Sequence, residues 1–128
     1  MRFRVTNIRP GYCEVWANTF DGGRYEQIAS VKRLDNDGWH WAAKDYYILP
    51  EDNFVAQSTR RECINDCERT ALLRQAQRAI DDGKGFSRKH WHCPCRAALH
   101  DMQRSNLFSI VEMHDMRERM EASGKEQE

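Results

Sequence analysis

Hydrophobic and polar residues alternate along the first third of the chain, and turn residues interrupt the alternation at intervals. The segments FRVTNIR (3–9) and YCEVWANTF (12–20) flank the turn sequence RPG. The segment RYEQIASVKRL (24–34) precedes DNDG, a strong hairpin signal. A period of two is typical of strands with one buried face. We therefore predict antiparallel strands for these segments, with a further turn at TFDGGR (19–24).

Three more segments continue the sheet pattern before the character of the chain changes. WHWAA (39–43) and DYYILP (45–50) are rich in aromatic and branched residues, and NFVAQS (53–58) has the composition of a last short strand. With one or two of these segments as separate strands, the predicted sheet has four or five strands.

The hydrophobic period changes from strand-like to helix-like at residue 58. Ser58 or Thr59 is suited to cap a helix, and Glu62 stands three residues beyond Thr59, as a capping box requires. Gly83 and Gly85 are suited to end this helix. The spacing predicts one long helix between these signals.

Two further helices are predicted in the remainder of the chain. Pro94 is suited to a first helical turn, and we predict a helix that starts near it and runs through residues 95–104. The segment 106–122 has apolar residues at helical spacing. The whole pattern predicts an α+β fold, with an N-terminal antiparallel sheet of four or five strands followed by two or three C-terminal helices. We expect a single domain over residues 1–123 and a frayed tail at 124–128.

Charge is balanced overall but alternates in sign along the chain, which has 20 basic and 20 acidic residues. Residues 1–34 and 58–104 are net basic, whereas residues 35–57 and 105–128 are net acidic. Broad capture of duplex DNA relies on a dominant basic surface, so the alternation argues against it. A local basic face remains compatible with the charge pattern.

The composition also bears on location and on the state of the cysteines. The chain contains no apolar run long enough for a membrane span, and its first residues lack the apolar core of a signal peptide. We therefore expect a cytoplasmic protein that does not contact a membrane. Five cysteines are an odd number in such a chain, which favours thiols or a metal site over a disulfide framework.

Four of the cysteines form two close pairs with metal-ligand spacing. Cys63 and Cys67 are one helical turn apart, and Cys93 and Cys95 follow in the segment KHWHCPCRAALH (89–100), where His92 is suited to replace one thiolate. We predict a candidate structural zinc site from these residues. The alternative is that the thiols are reduced and pack as small hydrophobic side chains.

No catalytic motif is present, so we predict that the protein is not an enzyme. The chain lacks the H-E-x-x-H helix, the G-x-S-x-G elbow, the P-loop and the dinucleotide-binding turn. The remaining enzymatic alternative is a metal-dependent hydrolase, with His90, His92 and Cys93 around an open metal position.

Two kinds of partner are consistent with the sequence. The first prediction is a protein partner, bound through aromatic residues of the sheet region or methionines of the last helix. Its candidate residues are Trp16, Trp39, Trp41, Met113, Met116 and Met120. The alternative for the same residues is ordinary core packing, which their spacing also favours. Such a compact interaction module is consistent with an accessory or inhibitory protein of a phage or other mobile element.

The second kind of partner is single-stranded nucleic acid, gripped by a basic and aromatic loop that follows the long helix. Cations attract phosphates and an aromatic ring stacks on bases, which is the combination that single-strand binding uses. The candidate residues are Arg60, Arg61, Lys84, Arg88, Lys89 and Trp91.

Overall fold

The computed structural model describes residues 1–18, 23–53, 55–82 and 93–125. A four-stranded antiparallel sheet is followed by three helices, which confirms the predicted α+β fold. The chain divides into two compact units, Met1–Ala71 and Leu72–Glu128.

The sheet is a meander in which each strand pairs with the next one along the chain. The strands are β1 (Arg2–Arg9), β2 (Tyr12–Asn18), β3 (Tyr25–Arg33) and β4 (Trp39–Ala43). The RPG turn joins β1 to β2, and Gly11 adopts a φ of 79°, which a residue without a Cβ accepts at low cost. Asp37 in the DNDG turn has a φ of 64°, a conformation that aspartate tolerates. The predicted TFDGGR turn falls largely on residues 19–22, outside the described residues.

One face of the sheet forms the core of the first unit. The alternating residues Cys13, Val15 and Ala17 of β2 are buried, as their spacing predicts. The register of β2 against β3 shifts between Val15 and Trp16. This shift lets both Ile28 and Ala29 lie in the core although they are consecutive.

Helix α1 (Arg60–Asp81) contributes its first turns to the same core. The Thr59 hydroxyl accepts a hydrogen bond from the Glu62 N–H at 3.1 Å, so Thr59 rather than Ser58 caps the helix. Four residues of α1 belong to the sheet-side core, namely Cys63, Ile64, Cys67 and Ala71.

The strand expected over residues 45–50 is wrong, because the segment forms a turn. The Asp45 carboxylate accepts a hydrogen bond from the Tyr47 N–H at 2.8 Å. The backbone carbonyl oxygen of Asp45 accepts further hydrogen bonds from the Ile48 and Leu49 N–H groups. Ile48 and Leu49 are buried. The aspartate therefore overrides the strand propensity of the apolar residues that follow it.

The last short strand predicted, at 53–58, is reduced to a single bridge. Trp39 and Gln57 exchange two backbone hydrogen bonds, of 2.8 and 2.7 Å. The described residues of this segment otherwise form no strand. Val55 and Ala56 are exposed, so there is no buried face to hold a longer pairing.

The second unit contains α2 (Pro94–Ser105), α3 (Ile110–Lys125) and the last turns of α1. Pro94 stands in the first turn of α2, as predicted, and Asn106 ends this helix with a φ of 59°. Ser109 and Glu112 form a reciprocal capping box, with bonds of 3.0 and 3.1 Å, at the start of α3.

Polar bonds and a buried stripe hold these helices. The Gln75 amide donates to the Asp101 carboxylate at 3.1 Å, and Arg119 donates to Gln77. The buried residues of α2 follow helical spacing and are Cys95, Ala98 and Met102. Within the described residues, no helix has the length and apolar character needed to cross a membrane.

Candidate functional site

Two of the predicted zinc ligands lie in the core of the first unit. Cys63 and Cys67 are fully buried, and Cys13 of β2 belongs to the same core. Burial, followed by the charges of Asp66 and Cys13, raises the pKa of the Cys63 thiol to about 12. Burial and then Cys63 raise the pKa of Cys67 well above its usual range. Cys13 was absent from the predicted set, although its inward position on β2 was the available signal.

The other two cysteines belong to the second unit. Cys93 is the residue before α2, and Cys95 is buried in the first turn of that helix. Burial, followed by Cys93, raises the pKa of Cys95 to about 11. His90 and His92 lie outside the described residues. The predicted hydrolase site of His90, His92 and Cys93 is therefore described only at Cys93.

All five cysteines are free thiols. Within residues 1–18, 23–53, 55–82 and 93–125, no three histidine, cysteine or acidic side chains lie close enough together to hold a metal ion. The zinc site of Cys63, Cys67, Cys93 and Cys95, with His92 as a substitute ligand, stays a prediction.

The predicted nucleic-acid loop falls mostly outside the described residues, which exclude Lys84, Arg88, Lys89 and Trp91. Its two helical members are described. Arg60 donates a hydrogen bond to the Asn7 amide oxygen, and Arg61 is exposed. Arg61 also partly offsets the burial that raises the pKa of the Glu68 carboxyl.

The tryptophans of the predicted protein-binding surface lie in three environments. Trp41 is 3% exposed, and its indole N–H donates to the Asp66 carboxylate at 2.8 Å. Asn53 donates to the same carboxylate oxygen at 3.2 Å. Trp39 is half-buried against the core of the first unit, whereas Trp16 lies on the opposite side of the sheet.

The methionines of the same prediction are mainly internal. Met116 and Met120 are buried, and Met113 is half-buried. The exposed apolar side chains of α3 are instead Ile110, at 89%, and Val111, at 69%.

The side of the sheet opposite the core carries half-buried and exposed side chains. We call it the open face. Its strand positions are Arg2, Arg4, Thr6, Arg9, Tyr12, Glu14, Trp16, Asn18, Tyr25, Gln27, Ser30, Lys32, His40 and Ala42. Only Trp16 among these residues belongs to a site predicted from the sequence.

Cations lie over the aromatic rings of the open face. The Arg4 guanidinium is 4.2 Å from the centroid of the Tyr25 ring. The Arg9 guanidinium is 4.9 Å and the Lys32 ammonium 5.5 Å from the centroid of the Tyr12 ring. Such contacts hold each cation near a ring that remains partly exposed.

The charge of the open face is strongly positive. Lys44 follows β4 and reaches this side of the sheet, where its ammonium donates to the Gln27 amide oxygen at 2.8 Å. The cations of the face are Arg2, Arg4, Arg9, Lys32 and Lys44, whereas its strand positions include one carboxylate, Glu14. Opposing charge within the face is therefore small.

Polar bonds orient several of these side chains. A hydrogen bond of 3.4 Å joins the Tyr12 hydroxyl to the Ser30 hydroxyl, and the Gln27 amide donates to Ser30 at 3.4 Å. By contrast, the Trp16 Nε1 and His40 Nδ1 atoms have no hydrogen-bond partner among the described residues. Buried polar atoms are usually paired, so these two are exceptions within the face.

A pocket of about 430 Å³ lies at the end of the sheet where β1 turns into β2. It is bounded in part by Tyr12 and by the cations Arg9, Lys32 and Arg33, which add positive charge beside the open face. Asp35 and Asp37 also line it and reduce that charge.

No protein-family model, curated protein or solved structure matches this chain.

Proposed function

We propose that the protein is a non-enzymatic interaction module that binds single-stranded nucleic acid on the open face of its sheet. The observation that carries the proposal is the interleaving of cations with partly exposed aromatic rings on this one face. Cations attract the phosphates, and the rings of Tyr12, Trp16 and Tyr25 offer surfaces on which bases stack. This combination is typical of sheets that bind single strands.

A single strand fits these features better than a duplex does. Bases must be unstacked before they can stack on a protein ring, and a duplex does not present them that way. Tyr12 and Trp16 lie on one side of β2, four residues apart, which corresponds to about 13 Å along a strand. That spacing allows separate bases to use the two rings.

The proposal moves the nucleic-acid surface from the loop after α1 to the sheet. The loop residues Lys84, Arg88, Lys89 and Trp91 stay a prediction, to be compared with the sheet by mutation. The phosphate contacts that we propose come from Arg2, Arg4, Arg9, Lys32 and Lys44.

The direct test is the binding of a labelled oligothymidylate, measured by fluorescence anisotropy at low salt. Tyr12→Ala and Tyr25→Ala each remove one stacking ring and are expected to weaken binding by about 1–3 kcal/mol. Tyr46→Ala is the matched control, because Tyr46 is exposed in the turn outside the strands. The proposal fails if the unmodified protein does not bind, or if the control loses as much affinity as the two variants.

A protein partner is the second candidate function, and one observation favours it. Ile110 and Val111 are adjacent branched apolar side chains that are exposed to water at the start of α3. A partner that covered them would remove this apolar surface from water. We expect a partner captured by the unmodified protein to be lost with Ile110→Ser and Val111→Ser combined. Equal capture by this double variant would remove the start of α3 from the interface.

A further inference from the structure

Glu14 is the one carboxylate among the strand positions of the open face, and it stands near the centre of the sheet. Tyr12 and Trp16 precede and follow it on the same side of β2, while Thr6 and Ser30 are its neighbours on β1 and β3. The side chain is half-buried. Its carboxylate makes no hydrogen bond or ion pair with another described residue.

A negative charge at this place opposes the binding of phosphates. Coulomb repulsion from a half-buried carboxylate is screened less than it is at a fully exposed site. An unpaired acceptor is nevertheless useful where a ligand supplies donors, because a carboxylate has two acceptor oxygens and no donor. Base edges, unlike phosphates, carry N–H donors.

We propose that Glu14 is a specificity-determining residue that selects guanine in the bound strand, an inference that rests on the proposed nucleic-acid function. On its Watson–Crick edge guanine presents two adjacent donors, the N1–H and the N2 amino group. These match the two oxygens of one carboxylate in a bidentate contact. Adenine and cytosine present one amino donor beside an acceptor nitrogen, and thymine presents one N–H between two carbonyl oxygens, so each gains less and brings an acceptor towards the carboxylate.

The position of Glu14 between two rings suits this role. Residues two apart on a strand are about 7 Å apart on the same face. A base stacked on Trp16 or on Tyr12 therefore has its edge within reach of the intervening side chain. The same base keeps its phosphates near the flanking cations Arg4 and Lys32.

The test uses labelled oligothymidylates that differ at one central position, which is thymidine, deoxyguanosine, deoxyinosine or deoxyadenosine. We expect the deoxyguanosine strand to bind about tenfold more tightly than the thymidine strand. Deoxyinosine, which lacks the N2 amino group, should lose most of that gain. Anisotropy titrations at one salt concentration measure all four affinities.

Glu14→Gln supplies a change of specificity rather than a simple loss of affinity. An amide has one donor and one acceptor, a pair that the Watson–Crick edges of guanine, adenine and thymine can each match, so the advantage of the deoxyguanosine strand should be lost. Affinity for the all-thymidine strand should also rise, because a negative charge is removed. Glu26→Gln is the matched control, since Glu26 is an exposed glutamate of β3 opposite Ala17, on the core side, and should leave the preference for guanine unchanged.

The outcomes separate the two proposals. If all four strands bind equally, or if Glu14→Gln changes every affinity by one common factor, Glu14 does not select a base, and the nucleic-acid function stands. If no strand binds the unmodified protein, both proposals fail. Glu14→Ala, which should also abolish the preference for guanine, serves as the second variant if the glutamine form does not fold.

Discussion

The Arg4 guanidinium lies 4.2 Å from the centroid of the Tyr25 ring, and this contact connects β1 to β3 across the strand between them. On β2, Arg4 is paired with Trp16 and Tyr25 with Asn18. The Arg4 side chain therefore crosses β2 diagonally, towards the end of the sheet where β2 ends and β3 begins. A cation held by a ring loses less conformational freedom when it meets a phosphate.

Replacement of Arg4 distinguishes the sheet from the loop as the nucleic-acid surface. Arg4→Gln should weaken the binding of oligothymidylate and reduce the dependence of log K on log salt by about 0.7, the value for one lost contact to a single-stranded phosphate. Lys89→Gln, in the loop predicted from sequence, should leave this slope unchanged. Titrations over a series of salt concentrations measure both. The reverse result, with the slope reduced only by Lys89→Gln, would place the interface on the loop.

Trp41 is expected to stabilise the first unit through the hydrogen bond of its indole N–H as well as through the burial of its apolar ring. Trp41→Phe removes the indole donor that lies 2.8 Å from the Asp66 carboxylate in a part-buried hydrogen bond, which should cost about 1–3 kcal/mol of the free energy of unfolding. Trp39→Phe is the control, because no hydrogen bond of its indole is found among the described residues. Urea denaturation measures both variants. Equal losses would mean that the hydrogen bond adds nothing to the packing.

Much of this fold follows from local signals in the sequence. The turn at Gly11, the cap at Thr59 and the first turn at Pro94 are each determined by one residue type with a specific backbone or hydrogen-bond role. The strand expected at 45–50 was wrong for the same kind of reason. Asp45 closes a turn with its own side chain, and strand propensity takes no account of that competing bond.

The open face was harder to predict than the fold. Its residues come from four strands, and their alignment depends on register shifts near Ile8 and Ile28 that alternation alone does not reveal. The nucleic-acid surface predicted from the sequence therefore used other residues, which lie at the start of α1 and in the loop after it. On the sheet, Arg4 and Tyr25 meet although 21 positions separate them in the chain.

The raised pKa of Glu68 predicts a pH-dependent cost to stability. Burial raises this pKa above 4.5 in the folded protein, and Arg61 only partly offsets the effect. At neutral pH the folded state therefore holds a charge that the unfolded chain solvates better, and the cost disappears as pH falls below 4.5. Glu68→Gln should raise the free energy of unfolding at pH 7, and the gain should shrink towards acid pH. If Glu68→Gln raised the free energy of unfolding by the same amount over this whole pH range, the ionisation of Glu68 would be excluded as the cause. Glu51→Gln is the control, because Glu51 is exposed.

The predicted zinc site can be tested by measuring the metal content of the purified protein. Protein purified without added metal should contain about one zinc ion per chain, as one four-ligand site requires. Cys63→Ser or Cys95→Ser should lower this content, whereas Cys13→Ser, outside the predicted set, should preserve it. Elemental analysis provides the measurement. A chain without zinc would leave the cysteines as small buried side chains.

The last helix allows core packing and partner binding to be separated by two substitutions. Met120 is fully buried, so Met120→Ala leaves a cavity and should cost about 2–5 kcal/mol of the free energy of unfolding. Ile110 is 89% exposed, so Ile110→Ser should change stability by no more than about 0.5 kcal/mol. If Ile110 instead anchors a protein partner, Ile110→Ser should abolish capture of that partner while the melting temperature stays unchanged. A large loss of stability with Ile110→Ser would contradict the exposure of this side chain, and retained capture would remove it from the interface.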